Sequence, residues 1–117
     1  MKVQLQGQQV RLRISEAELA RLQAGEVVEN LTRLPAGRVL RQWLQVGERP
    51  QPVLLADAEG WGCLLPSAGL AAYVARLPCR DGLRFCLPLA QDAAETVEID
   101  LEVDVRDSVR SRGVPRR

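Results

Sequence analysis

The chain has 117 residues, of which 46% are hydrophobic and 26% charged, a composition typical of one globular domain and not of a disordered or fibrous chain. Sixteen basic and fifteen acidic residues leave a formal net charge of +1, which excludes a strong overall attraction to nucleic acid or to a membrane surface. Histidine is absent, so the commonest general base and the commonest metal ligand are both missing.

The three cysteines, Cys63, Cys79 and Cys86, lack the spacing of a zinc site and cannot all pair with one another. We expect reduced, partly buried thiols. A redox pair of Cys79 and Cys86 is the alternative, since Arg80 and Arg84 flank these two residues and cations lower a thiol pKa.

The location of the protein is inferred from its apolar runs. The longest uncharged run, residues 60–75, is broken by Pro66 and is shorter than the about 20 residues that cross a membrane. The first residues alternate polar and apolar, which is unlike a secretory segment. We therefore expect a cytoplasmic protein, with no membrane partner, no cofactor and no bound metal.

The first fourteen residues predict an antiparallel β-hairpin with one solvent face. Apolar and polar residues alternate on both sides of a short turn at Gly7 and Gln8. The alternating apolar residues are Val3, Leu5, Val10, Leu12 and Ile14.

Two short helices are predicted from their caps. Ser15 and Glu18 have the spacing of a capping box, and Gly25 is a natural stop for the first helix. Ser67 is expected to cap the second helix, which ends before Pro78. Both serines are interpreted as caps and not as nucleophiles, because no histidine can activate them.

Further strands are predicted at residues 26–34, 39–46, 53–55, 61–65, 83–89 and 96–105. Both halves of the chain then have the order strand, strand, helix, strand, strand, which predicts a duplicated ββαββ unit. The expected fold is α+β, with a largely antiparallel sheet of about eight strands that forms a partial or closed barrel. The open alternative is that any small α+β domain can show this order.

The domain is expected to span residues 1–107, followed by a disordered Arg-rich tail over 108–117. This tail has no apolar period, and its arginines face no acid in the sequence. They are Arg110, Arg112, Arg116 and Arg117.

An alternating acidic row is the strongest local feature of the sequence. On a strand the carboxylates of Glu98, Asp100, Glu102 and Asp104 share one face, about 7 Å apart, and repel one another. They need cations nearby, so we predict that the last strand lies beside the first hairpin, with its acids facing the basic row of that hairpin.

The acidic row leaves three interpretations open. It is a solvated sheet face with cross-strand ion pairs, or the polar lumen of a barrel that holds an anion, or a carboxylate row that binds Mg²⁺ or Ca²⁺. The candidate anion-binding residues are Lys2, Arg11, Arg13 and Arg84. The four aromatic residues, Trp43, Trp61, Tyr73 and Phe85, are interpreted as core or partner-surface residues.

The opening residues MKVQLQGQQVRLRISEAEL resemble a small bacterial family of unknown function. Its members begin with Met-Lys, then a short alternating strand, a Gly turn, an Arg-Leu-Arg strand and a helix that starts at Ser. The resemblance is close over residues 1–20, and Glu102 and Asp104 hold the acidic positions of that family's last strand. It implies an order of elements and a bacterial source, and it transfers no catalytic residue.

At the level of the fold, the chain is similar to the triphosphate-tunnel (CYTH-like) barrels. Those proteins duplicate a strand-strand-helix-strand-strand unit into an eight-stranded antiparallel barrel. They carry Glu-x-Glu-x-Lys on the first strand, where this chain has Lys2-Val3-Gln4-Leu5-Gln6 and so lacks the metal-binding carboxylates.

The sequence favours a non-enzymatic binding or protein-interaction module, as a monomer or homodimer. Its partner is an unknown protein or a small anionic ligand, and nucleic acid is not expected. The alternative is an anion- or polyphosphate-binding, phosphohydrolase-like barrel without the usual metal ligands.

Overall fold

The structure is a computed structural model that describes residues 1–90 and 94–113. These residues form an α+β fold with eight strands and three α-helices. The strands are β1 (Lys2–Gln6), β2 (Gln9–Ile14), β3 (Val28–Arg33), β4 (Val39–Gly47), β5 (Val53–Asp57), β6 (Gly60–Pro66), β7 (Leu83–Pro88) and β8 (Thr96–Val103). The helices are α1 (Glu16–Gln23), α2 (Ser67–Val74) and α3 (Val105–Arg112).

The predicted N-terminal hairpin and the first helix are confirmed. Strands β1 and β2 pair antiparallel around Gly7, which has the positive φ of 54° that a tight turn requires. The Ser15 hydroxyl accepts a hydrogen bond from the Glu18 N–H at 3.1 Å. The Glu18 carboxylate in turn accepts one from the Ser15 N–H at 3.0 Å, which completes the capping box.

The eight described strands divide into two four-stranded sheets, so the predicted closed barrel is wrong, while the partial barrel and the duplicated unit stay predictions. The first sheet has the order β1-β2-β8-β7 and the second the order β3-β4-β6-β5. In each sheet two antiparallel hairpins meet at a parallel central pair, β2 with β8 and β4 with β6. The physical reason is that alternation records which face of a strand is buried and not which strand lies beside it.

One hydrophobic core joins the two sheets to α1 and α2. Leu12 and Leu101 of the first sheet are fully buried, as are Leu44 and Cys63 of the second. Helix α1 adds Leu19 and Leu22, and helix α2 adds Leu70 and Tyr73. The inner faces of both sheets are therefore covered, and their outer faces are left for solvent or a partner.

The start of the second helix differs from the sequence prediction. The N-cap is Pro66, and no side chain caps the helix; Ser67 is its first residue. The chain passes directly from β6 into α2, and Pro66, with φ −62° and ψ 128°, already has the extended conformation of an N-cap residue.

The predicted disordered tail is wrong over residues 108–112, which belong to α3. Strand β8 ends at Val103, and Asp104 caps α3 by accepting the Arg106 N–H at 2.9 Å. Asp107 accepts the Glu16 N–H at 2.6 Å. The ion pair of Glu16 with Arg112 then fixes α3 against α1. This contact stabilises α3, which has few apolar residues to pack against the core. The rest of the predicted tail, residues 114–117 with Arg116 and Arg117, lies outside the described residues.

Within the described part of the chain, no helix is both long enough and apolar enough to span a membrane.

Candidate functional site: two outer sheet faces

The outer face of the first sheet, here called the charged face, gathers the residues that the sequence singled out. The predicted pairing is confirmed: β8 lies beside β2, with Arg11 opposite Asp100 and Arg13 opposite Glu102. The pairing is parallel. The charged face includes Lys2, Gln4, Gln6, Gln9, Arg11, Arg13, Arg84, Cys86, Glu98, Asp100 and Glu102.

Cross-strand ion pairs compensate the acidic row. Arg13 contacts Glu102 at 2.8 Å, and Arg84 on the edge strand β7 contacts Glu98 at 3.0 Å and Asp100 at 3.6 Å. The predicted fourth acid, Asp104, is missing from the row because it caps α3. Three acids facing two paired arginines do not repel one another as a bare row of carboxylates does.

Lys2 and Arg11 carry the charge that is not internally paired. Neither forms an ion pair with an acid among residues 1–90 and 94–113. Both lie exposed on the charged face. Of the four predicted anion-binding residues, these two are therefore available to a ligand, while Arg13 and Arg84 are engaged by carboxylates.

Two adjoining clefts run over the charged face. One has a volume of about 470 Å³ and the other of about 480 Å³, and both are lined by Arg11, Arg84 and Asp100. The predicted polar lumen is wrong, because the charged side chains point away from the core and the interior is apolar. Within the residues the structure describes, no group of three His, Cys, Asp or Glu side chains could hold a metal ion.

The three cysteines differ in exposure, and only Cys63 is buried. Cys63 is buried in the core, and burial raises the pKa of its thiol to about 11, so it stays protonated. Cys86 is exposed on β7, and Cys79 lies between α2 and β7; all three thiols are free. Cys63 therefore acts as a small packing residue.

The outer face of the second sheet combines apolar side chains with charged ones, and we call it the Trp43 face. It consists of Glu29, Leu31, Arg33, Val39, Arg41, Trp43, Gln45, Val53, Leu55, Asp57, Gly60, Gly62 and Leu64. Leu31 and Leu55 are each 46% exposed, and Leu64 is half-buried. These leucines and Trp43 place apolar side chains on the side of the sheet that faces away from the core.

Trp43 is held in place at the centre of this face. Its indole ring occupies the space of a Cβ atom at Gly62, which would lie 1.7 Å from the ring. The Arg41 guanidinium lies 5.8 Å from the ring centroid and is also paired with Glu29. Glycine at position 62 is thus required for the ring to lie flat on the sheet.

Sequence reasoning left Trp43 open as a core or partner-surface residue and did not find this face. A signal was present, because Val53-Leu54-Leu55 and Cys63-Leu64-Leu65 are continuous apolar runs. Such runs are typical of strands that are covered on both faces, whereas strict alternation marks one solvated face.

Comparison with models of known protein families, with curated proteins and with solved structures found no match.

Proposed function

We propose that the protein is a non-enzymatic binding module and that its protein-binding surface is the Trp43 face. One observation carries the proposal: the outer face of the second sheet carries the exposed leucines Leu31 and Leu55 around Trp43, and within the described residues only the inner face of this sheet is covered. A contiguous apolar patch on the surface of a folded domain marks a site of association.

The composition of the face supports this function. Tryptophan and arginine are the residues most enriched at the energetic centres of protein interfaces. Trp43 rests on Gly62, and Arg41 is held by Glu29, so both side chains are ordered before a partner arrives. Such preorganisation lowers the entropy lost on binding.

The occupant we propose is a second copy of this chain. A twofold interface requires a surface that is complementary to itself. The Trp43 face meets this condition in its charges, since Glu29 and Asp57 balance Arg33 and Arg41. Two such faces can therefore meet without net repulsion around an apolar centre.

The size of the face sets the expected strength of this dimer. Four strands spaced about 4.8 Å apart and paired over about six residues make a face of roughly 19 by 20 Å, or about 400 Å². A standard interface buries about 800 Å² on each partner, so the dimer should be weak and dependent on concentration.

Sedimentation velocity over a series of protein concentrations tests the proposal. We expect a shift from monomer to dimer as concentration rises, and Leu55→Glu should abolish it by burying a charge at the interface. Leu5→Glu is the matched control, because Leu5 is an exposed leucine of strand β1 on the other sheet, 65% exposed. A dimer that survives Leu55→Glu, or a monomer at every concentration, overturns the proposed occupant.

Photo-crosslinking in living cells separates a second copy from other partners. A photoreactive amino acid at position 55 should form an adduct of twice the chain mass, while the same group at Gln4 on the charged face should not. An adduct with a different protein would overturn the second copy as occupant, and equal adducts from both positions would overturn the Trp43 face as the binding surface.

Anion binding is the second candidate function, and the unpaired charges of Arg11 and Lys2 favour it. It corresponds to a polyphosphate-binding domain without the usual metal-binding carboxylates. Tripolyphosphate, with or without Mg²⁺, should then raise the melting temperature, because a ligand that binds only the folded state stabilises it. No change at millimolar tripolyphosphate would remove this candidate.

We also propose that the two halves arose by duplication and that the sheets form a partial barrel. The support is that the same pairing recurs: β1-β2-β8-β7 has its counterpart in β5-β6-β4-β3, with a parallel pair at each centre. A bacterial, cytoplasmic origin and membership of the family that the first 20 residues resemble remain part of this proposal.

A further inference from the structure

The cleft of about 470 Å³ on the charged face has a carboxylate that is poorly supplied with hydrogen bonds. Asp100 is 18% exposed, yet its Oδ1 atom is buried and accepts no hydrogen bond from any described residue. Its Oδ2 atom lies 3.6 Å from the Arg84 guanidinium, which is beyond hydrogen-bond distance. A buried carboxylate oxygen normally accepts hydrogen bonds. Because Oδ1 is closed off from solvent, the atom of Asp100 that can accept from a ligand in the cleft is Oδ2.

Gly82 lies directly against this carboxylate, and its lack of a side chain allows the close contact. A Cβ atom there would lie 2.3 Å from Asp100 Oδ1, so any other residue would push the carboxylate away. Gly82 and Asp100 both line the second cleft, which meets the first at Arg11, Arg84 and Asp100.

Arg11 offers the complementary charge in the same cleft. It stands directly opposite Asp100 on the neighbouring strand, yet the two side chains do not form an ion pair. A guanidinium in this position can donate two parallel hydrogen bonds to a carboxylate. The cleft thus holds one cation without an ion-pair partner, Arg11, beside one carboxylate, Asp100, whose ion pair with Arg84 is longer than a hydrogen bond.

The charge balance of the cleft decides which ligand fits. Its lining has two arginines, Arg11 and Arg84, against two acids, Glu98 and Asp100. A small anion such as acetate would also meet the two acids, and a small cation would meet the two arginines, so neither gains much. A zwitterion and a polyphosphate are therefore alternative ligands of Arg11. A molecule with both charges satisfies both sides.

We infer that this cleft binds a small zwitterion of the amino-acid class. The ligand carboxylate pairs with Arg11, and its ammonium group donates to Asp100 Oδ2. The amides of Gln4 and Gln6, which line the cleft, can donate to or accept from the rest of the ligand. Because the cleft is open to solvent, each ion pair contributes little and millimolar affinity is expected.

Thermal unfolding with a series of zwitterions tests this inference. Glycine, β-alanine and γ-aminobutyrate differ in the distance between their charges, and at least one should raise the melting temperature with saturation. Acetate, methylammonium and phosphate, each with a single kind of charge, should not. Betaine is the control for general osmolyte stabilisation, since its quaternary nitrogen cannot donate a hydrogen bond.

Variants assign the effect to the cleft. Asp100→Asn and Arg11→Gln should each remove the saturable shift, whereas Arg106→Gln, an exposed arginine on α3, should keep it. If the Asp100 variant does not fold, amide chemical shifts of the unaltered protein provide the assignment: the bound zwitterion should move resonances of β2 and β8. A shift equal to that with betaine, equal responses to phosphate or acetate, or unchanged saturation in Arg11→Gln would each overturn the inference.

Discussion

Replacing Tyr73 by phenylalanine removes the one hydroxyl that satisfies the end of strand β8. Tyr73 is fully buried on α2, and its hydroxyl oxygen accepts a hydrogen bond from the Val103 N–H at 2.8 Å. Strand β7 begins at Leu83, opposite Leu101, so β8 has no strand neighbour on that side at Val103. The tyrosine therefore takes the place of a missing strand partner.

The expected cost follows from the atom that loses its acceptor. Val103 is 1% exposed, so water cannot reach its N–H after the substitution. An unsatisfied buried donor costs about 1–3 kcal/mol, and the ring itself still fills its space. For a domain of this size, that corresponds to a fall in melting temperature of roughly 4–12 °C.

Urea unfolding followed by tryptophan fluorescence measures this cost directly. The midpoint should fall while the slope against urea stays constant, because the surface exposed on unfolding is unchanged. A loss of free energy of unfolding below about 0.5 kcal/mol, within the range of neutral surface substitutions, would refute the assignment of Tyr73 as the acceptor for Val103.

Two further predictions concern helix ends and pH. Ser15→Ala should lower the free energy of unfolding by about 1 kcal/mol, because it removes the hydroxyl that caps α1. Ser67→Ala should lower it by less, because Ser67 caps no helix. Equal losses for the two variants in urea unfolding would contradict this prediction. The Arg112 guanidinium holds the pKa of Glu16 below its ordinary value of 4.5. The folded state therefore releases that proton more readily than the unfolded state, so this pair stabilises the protein above the ordinary pKa and loses its effect as pH falls through the lowered pKa. When the free energy of unfolding is measured against pH, Arg112→Gln should reduce the loss of stability on acidification, and Arg110→Gln should leave that loss unchanged. The same pH dependence in both variants would refute the ion pair of Glu16 with Arg112.

Local patterns in the sequence were sufficient for the N-terminal hairpin and the first cap. Alternation from Val10 to Ile14 matches the one buried face of β2, and the spacing of Ser15 and Glu18 acts within one helical turn. Electrostatics extended this to one long-range contact, since the acids of β8 required the arginines of β2 beside them. These features depend on neighbouring residues or on strong repulsion, both of which are visible in the sequence.

The tertiary structure alone decided how the strands are shared between two sheets and which faces remain open. Parallel pairing of β4 with β6 joins segments whose alternation is compatible with many neighbours, so local periodicity does not select it. Asp104 continues the acidic alternation and yet ends the strand, because its carboxylate is needed by the first amides of α3. Helix α3 has few apolar residues, and its ion pair with Glu16 forms only after α1 has been brought beside it. The position of Trp43 over Gly62 likewise exists only once β4 and β6 are paired, since 18 intervening residues separate the two along the chain.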